Sequence, residues 1–235
     1  MDIHNPDLFR HEQKYIISDL LYEELKLRLS RLMSVDAHAN ENGCYHISSL
    51  YFDDHDNSCY YDNENGNEPR EKFRIRAYNN SGDYLVLEYK RKQNGLTLKQ
   101  TCPITNEQLY MLTDGRYIPD FSHQPPLLQR LTLQMQLSGL HPVIVADYDR
   151  VPFIYRNGNV RVTFDQNISS CSNVVSFLNP AKPKKPILPL GQYLMEVKYS
   201  GFLPDEIYHT LQTEDLLRTA FSKYYLCRRY SEYNI

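Results

Sequence analysis

No stretch of the 235-residue sequence approaches the roughly 20 apolar residues of a membrane-spanning helix. The opening residues, MDIHNPDLFRHEQ, lack the apolar run of a secretory signal. The five cysteines, Cys44, Cys59, Cys102, Cys171 and Cys227, are odd in number and widely spaced, and no pair has metal-ligand spacing. A reduced, cytoplasmic setting is therefore expected rather than a disulfide scaffold. The histidines show no two-histidine spacing with a third ligand, which argues against zinc chemistry. The segment DDHDN (53–57) lacks the glycine and terminal glutamate of an EF-hand loop. Cys171 has serine neighbours but no convincing histidine partner. No repeat of solenoid length is visible. The formal charge of −3 excludes a globally basic nucleic-acid binder, so any anion site must come from segregated charge.

Segregated charge is present. In KFRIRAY (72–78), Lys72, Arg74, Arg76 and Tyr78 share one face of a strand, and Phe73, Ile75 and Ala77 share the other. Glu12-x-Lys14, Glu88-x-Lys90 (followed by Lys92) and Glu196-x-Lys198 repeat a carboxylate-x-lysine pattern on three further strands. Arg161, Thr163 and Asp165 share a face of another, and Arg150 lies near Asp147 and Asp149. Any one of these is an ordinary solvated face or a protected edge, and Arg150 has carboxylates close by with which to pair. Taken together they allow a second reading, in which the charged faces line the lumen of a closed sheet covered outside by helices. Crowded inward cations repel and lose hydration unless an anion or interleaved carboxylates compensate. Arginine forks and lysine charges suit phosphate oxygens, and glutamates among them suit a hard divalent cation.

Periodicity places a strand over 9–17, capped by Ser18 ahead of a helix with Leu20, Leu21, Leu25 and Leu32 as its apolar stripe. Further strands are expected at 44–54, 72–78, 84–92, in GLTLKQTCPI, on either side of Asn157-Gly158 as a two-residue hairpin, and in QYLMEVKYS. The acidic stretch after residue 52 is expected to hold at most a short helix. Thr105 and Gln108 form a capping-box pattern, and PPLLQRLTLQMQLSG reads as a helix from proline to Gly139. The proline-rich segment 179–191 reads as a crossing loop, and 204–230 as helical throughout. The 20 tyrosines fall mostly in strand or helix patterns, where packing is a commoner use than stacking on single-stranded nucleic acid. The whole predicts an α+β fold in one domain over 1–235, with a sheet closing on itself.

The segments HEQKYII, SLYFDD, EKFRIRAY, LEYKRK, YDR, VRVTFD, LMEVKY and FSKYY, in this order, resemble the polyphosphate polymerase domain of the vacuolar transporter chaperone family, within the triphosphate tunnel metalloenzymes. The likeness runs from Phe9 to Tyr225. It implies a closed antiparallel β-barrel with flanking helices, whose tunnel takes nucleoside triphosphate such as ATP, polyphosphate and Mn²⁺ or Mg²⁺. Carried over residue by residue, it assigns Lys14, Arg74, Arg76, Lys90, Arg150 and Arg161 as catalytic phosphate-binding residues, with Lys198, Ser222 and Lys223 also on phosphate. It assigns Glu196 as the metal ligand, with Glu12 and Glu88 on the right face to assist.

Two departures bear on activity. The eukaryotic polymerase has a further lysine before its Ser-Lys pair, where this chain has Ala220, with Arg218 nearby. The regulatory domain and membrane helices of eukaryotic subunits have no counterpart here, so the expectation is an isolated, bacterial-type, cytoplasmic domain, with a membrane-protein partner as a route to the inner membrane face. The implied activity is transfer of the ATP γ-phosphoryl group to polyphosphate. Triphosphate hydrolysis and a non-catalytic module serving a membrane or kinase-like partner are the alternatives.

Overall fold

Ser18 closes the first strand and opens the first helix, its Oγ accepting the Leu21 N–H at 3.4 Å. The computed structural model describes residues 11–94, 96–116, 118–213 and 216–232, so residues 9 and 10 of the expected first strand lie outside the described residues. In chain order the elements are β1 (His11–Ser18), α1 (Asp19–Leu29), β2 (Ser34–Val35), β3 (Tyr45–Asp53), α2 (Ser58–Glu64) and β4 (Arg70–Tyr78). Next come β5 (Ser81–Gln93), β6 (Leu96–Ile104), α3 (Asn106–Thr113), α4 (Pro126–Ser138) and β7 (His141–Tyr155). The last are β8 (Val160–Cys171), β9 (Lys185–Pro186), β10 (Gln192–Tyr199), α5 (Asp205–Leu211) and α6 (Lys223–Glu232). The fold is α+β, as expected.

The strands pair in the order β1-β10-β8-β7-β3-β4-β5-β6, with β2 on β7 and β9 on β8. The pairs β1–β10, β10–β8, β2–β7, β3–β4, β4–β5, β5–β6 and β8–β9 are antiparallel. The expected closure into a barrel is not formed: among the described residues the order ends at β1 and β6, with no pairing between them. The outer side of β1 is instead taken by the chain itself, through a bridge between Tyr15 and Arg218 and the Thr219 N–H donating to the Lys14 carbonyl at 2.8 Å. Among the described residues no helix is long and apolar enough to cross a membrane.

The chain divides into two compact units. The first comprises Met1–His46, Tyr148–Ile168 and Leu188–Phe221. Its core packs Ile17, Leu21, Tyr22, Leu25 and Leu29 against Val162, Phe164, Met195, Val197 and Ile207. The buried stripe of α1 is therefore Leu21, Tyr22, Leu25 and Leu29, while Leu20 and Leu32 are exposed, contrary to expectation. Asn157-Gly158 is not a two-residue hairpin either. The turn is a short 3-10 segment in which Gly158 and Asn159 have φ of 70° and 49°. A Cβ on Gly158 would sit 2.8 Å from the Phe202 carbonyl, and the Ser200 N–H donates to the Gly158 carbonyl at 3.0 Å, so docking on the loop after β10 shapes the turn.

The second unit comprises Ile47–Asp147, Ser169–Ile187 and Ser222–Ile235. Phe73, Ile75 and Ala77 of β4 join Leu85, Leu87, Leu109, Leu128 and Leu131 in its core. Asn79 and Asn80, both at φ 53°, make the tight β4–β5 turn. The Thr105–Gln108 capping box is formed in full, and α4 runs from Pro126 to a left-handed Gly139 at φ 66°. The acidic stretch holds α2, whose Cys59 and Tyr60 N–H groups donate to Asp53 at 2.9 and 3.2 Å. Residues 204–230 are not one helix, because the stretch between α5 and α6 is the part that pairs with β1. The proline-rich crossing is pinned by Lys182, which is fully buried, lies 3.1 Å from Asp147 and donates to the carbonyls of Phe177 (2.9 Å) and Asn179 (3.1 Å).

Candidate functional site

In the second unit, the face of the sheet opposite the core collects the basic side chains. Across β3, β4, β5 and β6 the register sets Tyr51, Arg74, Glu88 and Thr101 in one row, and Ser49 beside Arg76 in the next. On the other flank Lys72, Lys90 and Lys99 stand directly opposite one another on three adjacent strands. Like charges in register repel, so such a row weakens the sheet unless something anionic lies over it. Arg74 and Arg76 are not on a solvated outer face: their side chains are only 14% and 11% exposed.

Glu88, 3% exposed, supplies the compensation. Its Oε2 lies 2.6 and 2.5 Å from Nε and Nη2 of Arg74, and its Oε1 lies 2.9 Å from Lys99 and 3.4 Å from Arg76. Burial works against its ionisation, but Arg74, Arg76 and Lys99 outweigh it and hold the carboxyl well below the usual range. Burial lowers the Lys99 pKa in turn; Glu88 opposes that shift, and the two arginines add to it. Three cations thus contact one carboxylate. The Tyr51 and Tyr78 hydroxyls accept from Arg74 at 3.0 Å and Arg76 at 3.5 Å, holding the guanidinium groups without cancelling their charge.

The polar face of the first unit is built differently. On β1 and β10, Glu12 is opposite Lys198 and Lys14 is opposite Glu196, a checkerboard in which like charges meet only diagonally. Lys14 lies 3.0 Å from Glu12 and 3.8 Å from Glu196, and Lys198 lies 2.8 Å from Glu196 and 3.8 Å from Glu12. Lys14 also donates to the Phe221 carbonyl at 2.8 Å. Arg150 forks onto Asp165 at 2.6 and 2.8 Å and reaches Glu196 at 3.7 Å. Although burial disfavours its charge, Asp165, Tyr148 and Glu196 raise its pKa further. Arg161 donates to Asp36 at 2.8 Å and to the Tyr45 hydroxyl at 2.7 Å. Here carboxylates and cations balance.

The sequence-derived residues therefore gather as two sets: Lys14, Arg150, Arg161, Lys198, Glu12 and Glu196 in the first unit, and Arg74, Arg76, Lys90, Glu88, Ser222 and Lys223 in the second. Ser222 accepts the Tyr225 N–H at 3.3 Å at the start of α6, where Lys223 is buried, and Ala220 is exposed. Sequence reasoning missed Lys99, whose alternation with Thr97 and Thr101 along β6 was the available signal. It also missed Tyr51 and Tyr45 as partners of arginines. Asp36, far from Arg161 in sequence, left no signal.

Among the described residues no group of three or more His, Cys, Asp or Glu side chains could hold a metal ion by itself, so Glu12, Glu88 and Glu196 do not gather into a carboxylate cage. Glu12 and Glu196 do share both Lys14 and Lys198. Beside Glu196, in register on β8, is Thr163, whose buried Oγ1 has no hydrogen-bond partner. Two carboxylates and a hydroxyl are a hard-oxygen set that fits Mg²⁺ or Mn²⁺, which take one or two carboxylates and complete their shell with phosphate oxygens and water.

The VTC domain model matches residues 9–231. The chain belongs to the VTC domain family. No curated protein matches this VTC domain in sequence. Among solved structures it is similar to a Hippeastrum protein, a candidate adenylyl cyclase with a dominant triphosphatase activity, at 12% identity and a TM-score of 0.51 over 94% of this chain and 95% of that one. A candidate adenylate cyclase from Bacillus halodurans matches at 15% identity and a TM-score of 0.48, covering 86% of this chain and 84% of its own. The capping-enzyme triphosphatase of Mimivirus matches at 11% identity and 0.42, covering 88% and 87%. The Hippeastrum likeness shows that the VTC domain shares that overall fold.

Proposed function

We propose that this VTC domain is a polyphosphate polymerase: it binds nucleoside triphosphate and polyphosphate on its basic faces and transfers the ATP γ-phosphoryl group to a growing polyphosphate chain. The observation that carries the reading is the in-register row Lys72, Lys90 and Lys99 beside Arg74 and Arg76, with Glu88 the carboxylate that touches both arginines and Lys99. Such a concentration of guanidinium and ammonium groups on one face matches the nonbridging oxygens of a polyphosphate chain. The family match covers residues of both units.

Phosphoryl transfer asks chiefly for alignment and charge neutralisation. In the proposal Arg74, Arg76 and Lys90 hold nonbridging oxygens, with Lys99 beside them. Tyr51 and Tyr78 fix the planes of the two arginines, so their donors are aimed before the substrate arrives. Lys14, Lys198, Arg161, Ser222 and Lys223 add phosphate contacts. Arg150, whose fork is on Asp165, contributes its fixed positive charge and reaches a phosphate directly only by exchanging that partner. Glu12 and Glu196 would hold the divalent cation. A divalent cation held there would supply charge neutralisation to the phosphates. A phosphate acceptor is already ionised, so the chain needs no general base.

Hydrolysis is a second reading, favoured by the fold shared with the Hippeastrum protein and its triphosphatase activity. Incubation with ATP and Mn²⁺ or Mg²⁺, followed by separation of products by chain length, tests both. Long polyphosphate supports the polymerase, and orthophosphate or short products the hydrolase. Unchanged ATP that nonetheless binds would replace both with a nucleotide- or polyphosphate-binding module serving a partner protein.

A further inference from the structure

Ser49 and Tyr51 lie on the polar face of β3, in register with Arg76 and Arg74. The Tyr51 hydroxyl is used, accepting from Arg74 at 3.0 Å. Ser49 is 0% exposed, yet its Oγ has no hydrogen-bond partner. Its neighbour Ser48, equally buried but pointing to the other face, donates to Asp147 at 2.6 Å. Burial on this strand therefore does not prevent a serine from finding a partner; the polar face withholds one from Ser49.

Buried hydroxyls are ordinarily satisfied, and one left unmatched in a site calls for a reason. A tetrahedral phosphate provides it. A guanidinium offers its N–H groups in one plane, and a serine hydroxyl on the neighbouring strand adds a rotatable donor out of that plane. We propose that Ser49 is a phosphate-binding residue, its hydroxyl donating to an oxygen of the same phosphate group that Arg76 holds. This rests on the phosphate-binding reading of the second unit's polar face. The oxygen is covered in the ligand-free chain, so phosphate reaches it only as the overlying side chains part. The Ser49 hydroxyl itself gives up no hydrogen bond for the new one to form. Thr163 repeats the signature in the first unit: it is buried, its Oγ1 is unpartnered, and it is in register with Glu196.

An unpartnered hydroxyl contributes nothing to the ligand-free fold, so its removal separates binding from stability in a way that loss of a structural residue does not. The experiment is calorimetry with inorganic tripolyphosphate on wild type, Ser49→Ala and Ser49→Cys, with thermal unfolding of each ligand-free protein. Ser49→Ala is expected to weaken tripolyphosphate about tenfold, the loss of one hydrogen bond to a charged group. Its ligand-free Tm should stay level or rise, and the near-isosteric but weakly donating cysteine should fall between. Wild-type affinity in Ser49→Ala overturns the assignment. So does a ligand-free Tm lowered by several degrees or a variant that does not fold, because either shows that the hydroxyl serves the structure. If wild type itself does not bind tripolyphosphate, the phosphate-binding reading of the face fails and Ser49 falls with it.

Discussion

Arg74 and Glu88 face one another across β4 and β5, the guanidinium reaching one carboxylate oxygen with two nitrogens at 2.5 and 2.6 Å. In the proposed reading Glu88 therefore takes the place that a phosphate would occupy. Replacing it by glutamine removes the buried negative charge that Arg74, Arg76 and Lys99 all contact. Glu88→Gln should lower the unfolding free energy at neutral pH by about 3–5 kcal/mol. Tripolyphosphate should then stabilise the variant more than it stabilises wild type, as thermal unfolding with and without the ligand will show. The pH dependence follows from the sign of the shift. A carboxyl with a depressed folded-state pKa stabilises fully above its unfolded value and loses that contribution as pH falls through the folded one. The gap between wild type and Glu88→Gln should thus be constant at neutral pH and narrow below about 4.3, the ordinary glutamate value.

Lys90 stands in the middle of the lysine row, opposite Lys72 on one side and Lys99 on the other. Lys90→Met keeps the stem and removes the charge that repels both neighbours. Tripolyphosphate affinity should fall, and with it the dependence of binding on salt. Calorimetry at two ionic strengths checks this.

Binding and chemistry separate at Glu196 and Arg74. Glu196→Gln retains shape but loses the charge proposed to hold the divalent cation. Turnover should drop by orders of magnitude while ATP still binds, because the arginines and lysines supply most of the ground-state attraction. Arg74→Ala removes a proposed phosphate contact and should weaken ATP binding by roughly 1.5–3 kcal/mol. Parallel measurement of ATP affinity and product formation decides, and full activity of Glu196→Gln at all metal concentrations would remove it from the metal site.

Lys182 offers a control outside the proposed chemistry. Lys182→Met would strip the Phe177 and Asn179 carbonyls of their donor and Asp147 of one of its partners, Lys184 remaining at 2.9 Å. Denaturant unfolding should show a loss of about 3 kcal/mol. Tripolyphosphate affinity of the folded variant should match wild type; a large change in it would mean that the crossing loop participates in binding.

Local chemistry was the legible part of the sequence. Ser18, Thr105–Gln108 and Gly139 act within a few residues of themselves, and their caps formed where the pattern placed them. The two faces of KFRIRAY were legible too, because strand alternation alone separates Phe73, Ile75 and Ala77 from the arginines. What distant chain decides was not legible. Leu20 and Leu32 match a helical stripe as well as Leu29 does, and only the packing of β8, β10 and α5 on α1 selects among them. Residues 216–222 carry helix-compatible composition, but pairing with Tyr15 and Lys14 prevails over the helix there. Barrel closure was inferred from inward charge, and carboxylate pairing buries those charges on an open sheet as well. Lys99 was readable in retrospect, whereas Asp36 on Arg161 depends on a fold that no short-range pattern encodes.

The stretch lying along β1 has a consequence for how separate molecules of this protein behave in solution. An uncovered outermost strand presents a row of hydrogen-bonding groups on which another chain can template, the usual beginning of sheet-to-sheet aggregation. Arg218 and Thr219 act as a built-in stopper at that place. The same few residues keep the Lys14 strand in position and deny strangers a foothold, so their loss would be felt as clumping before it was felt as unfolding.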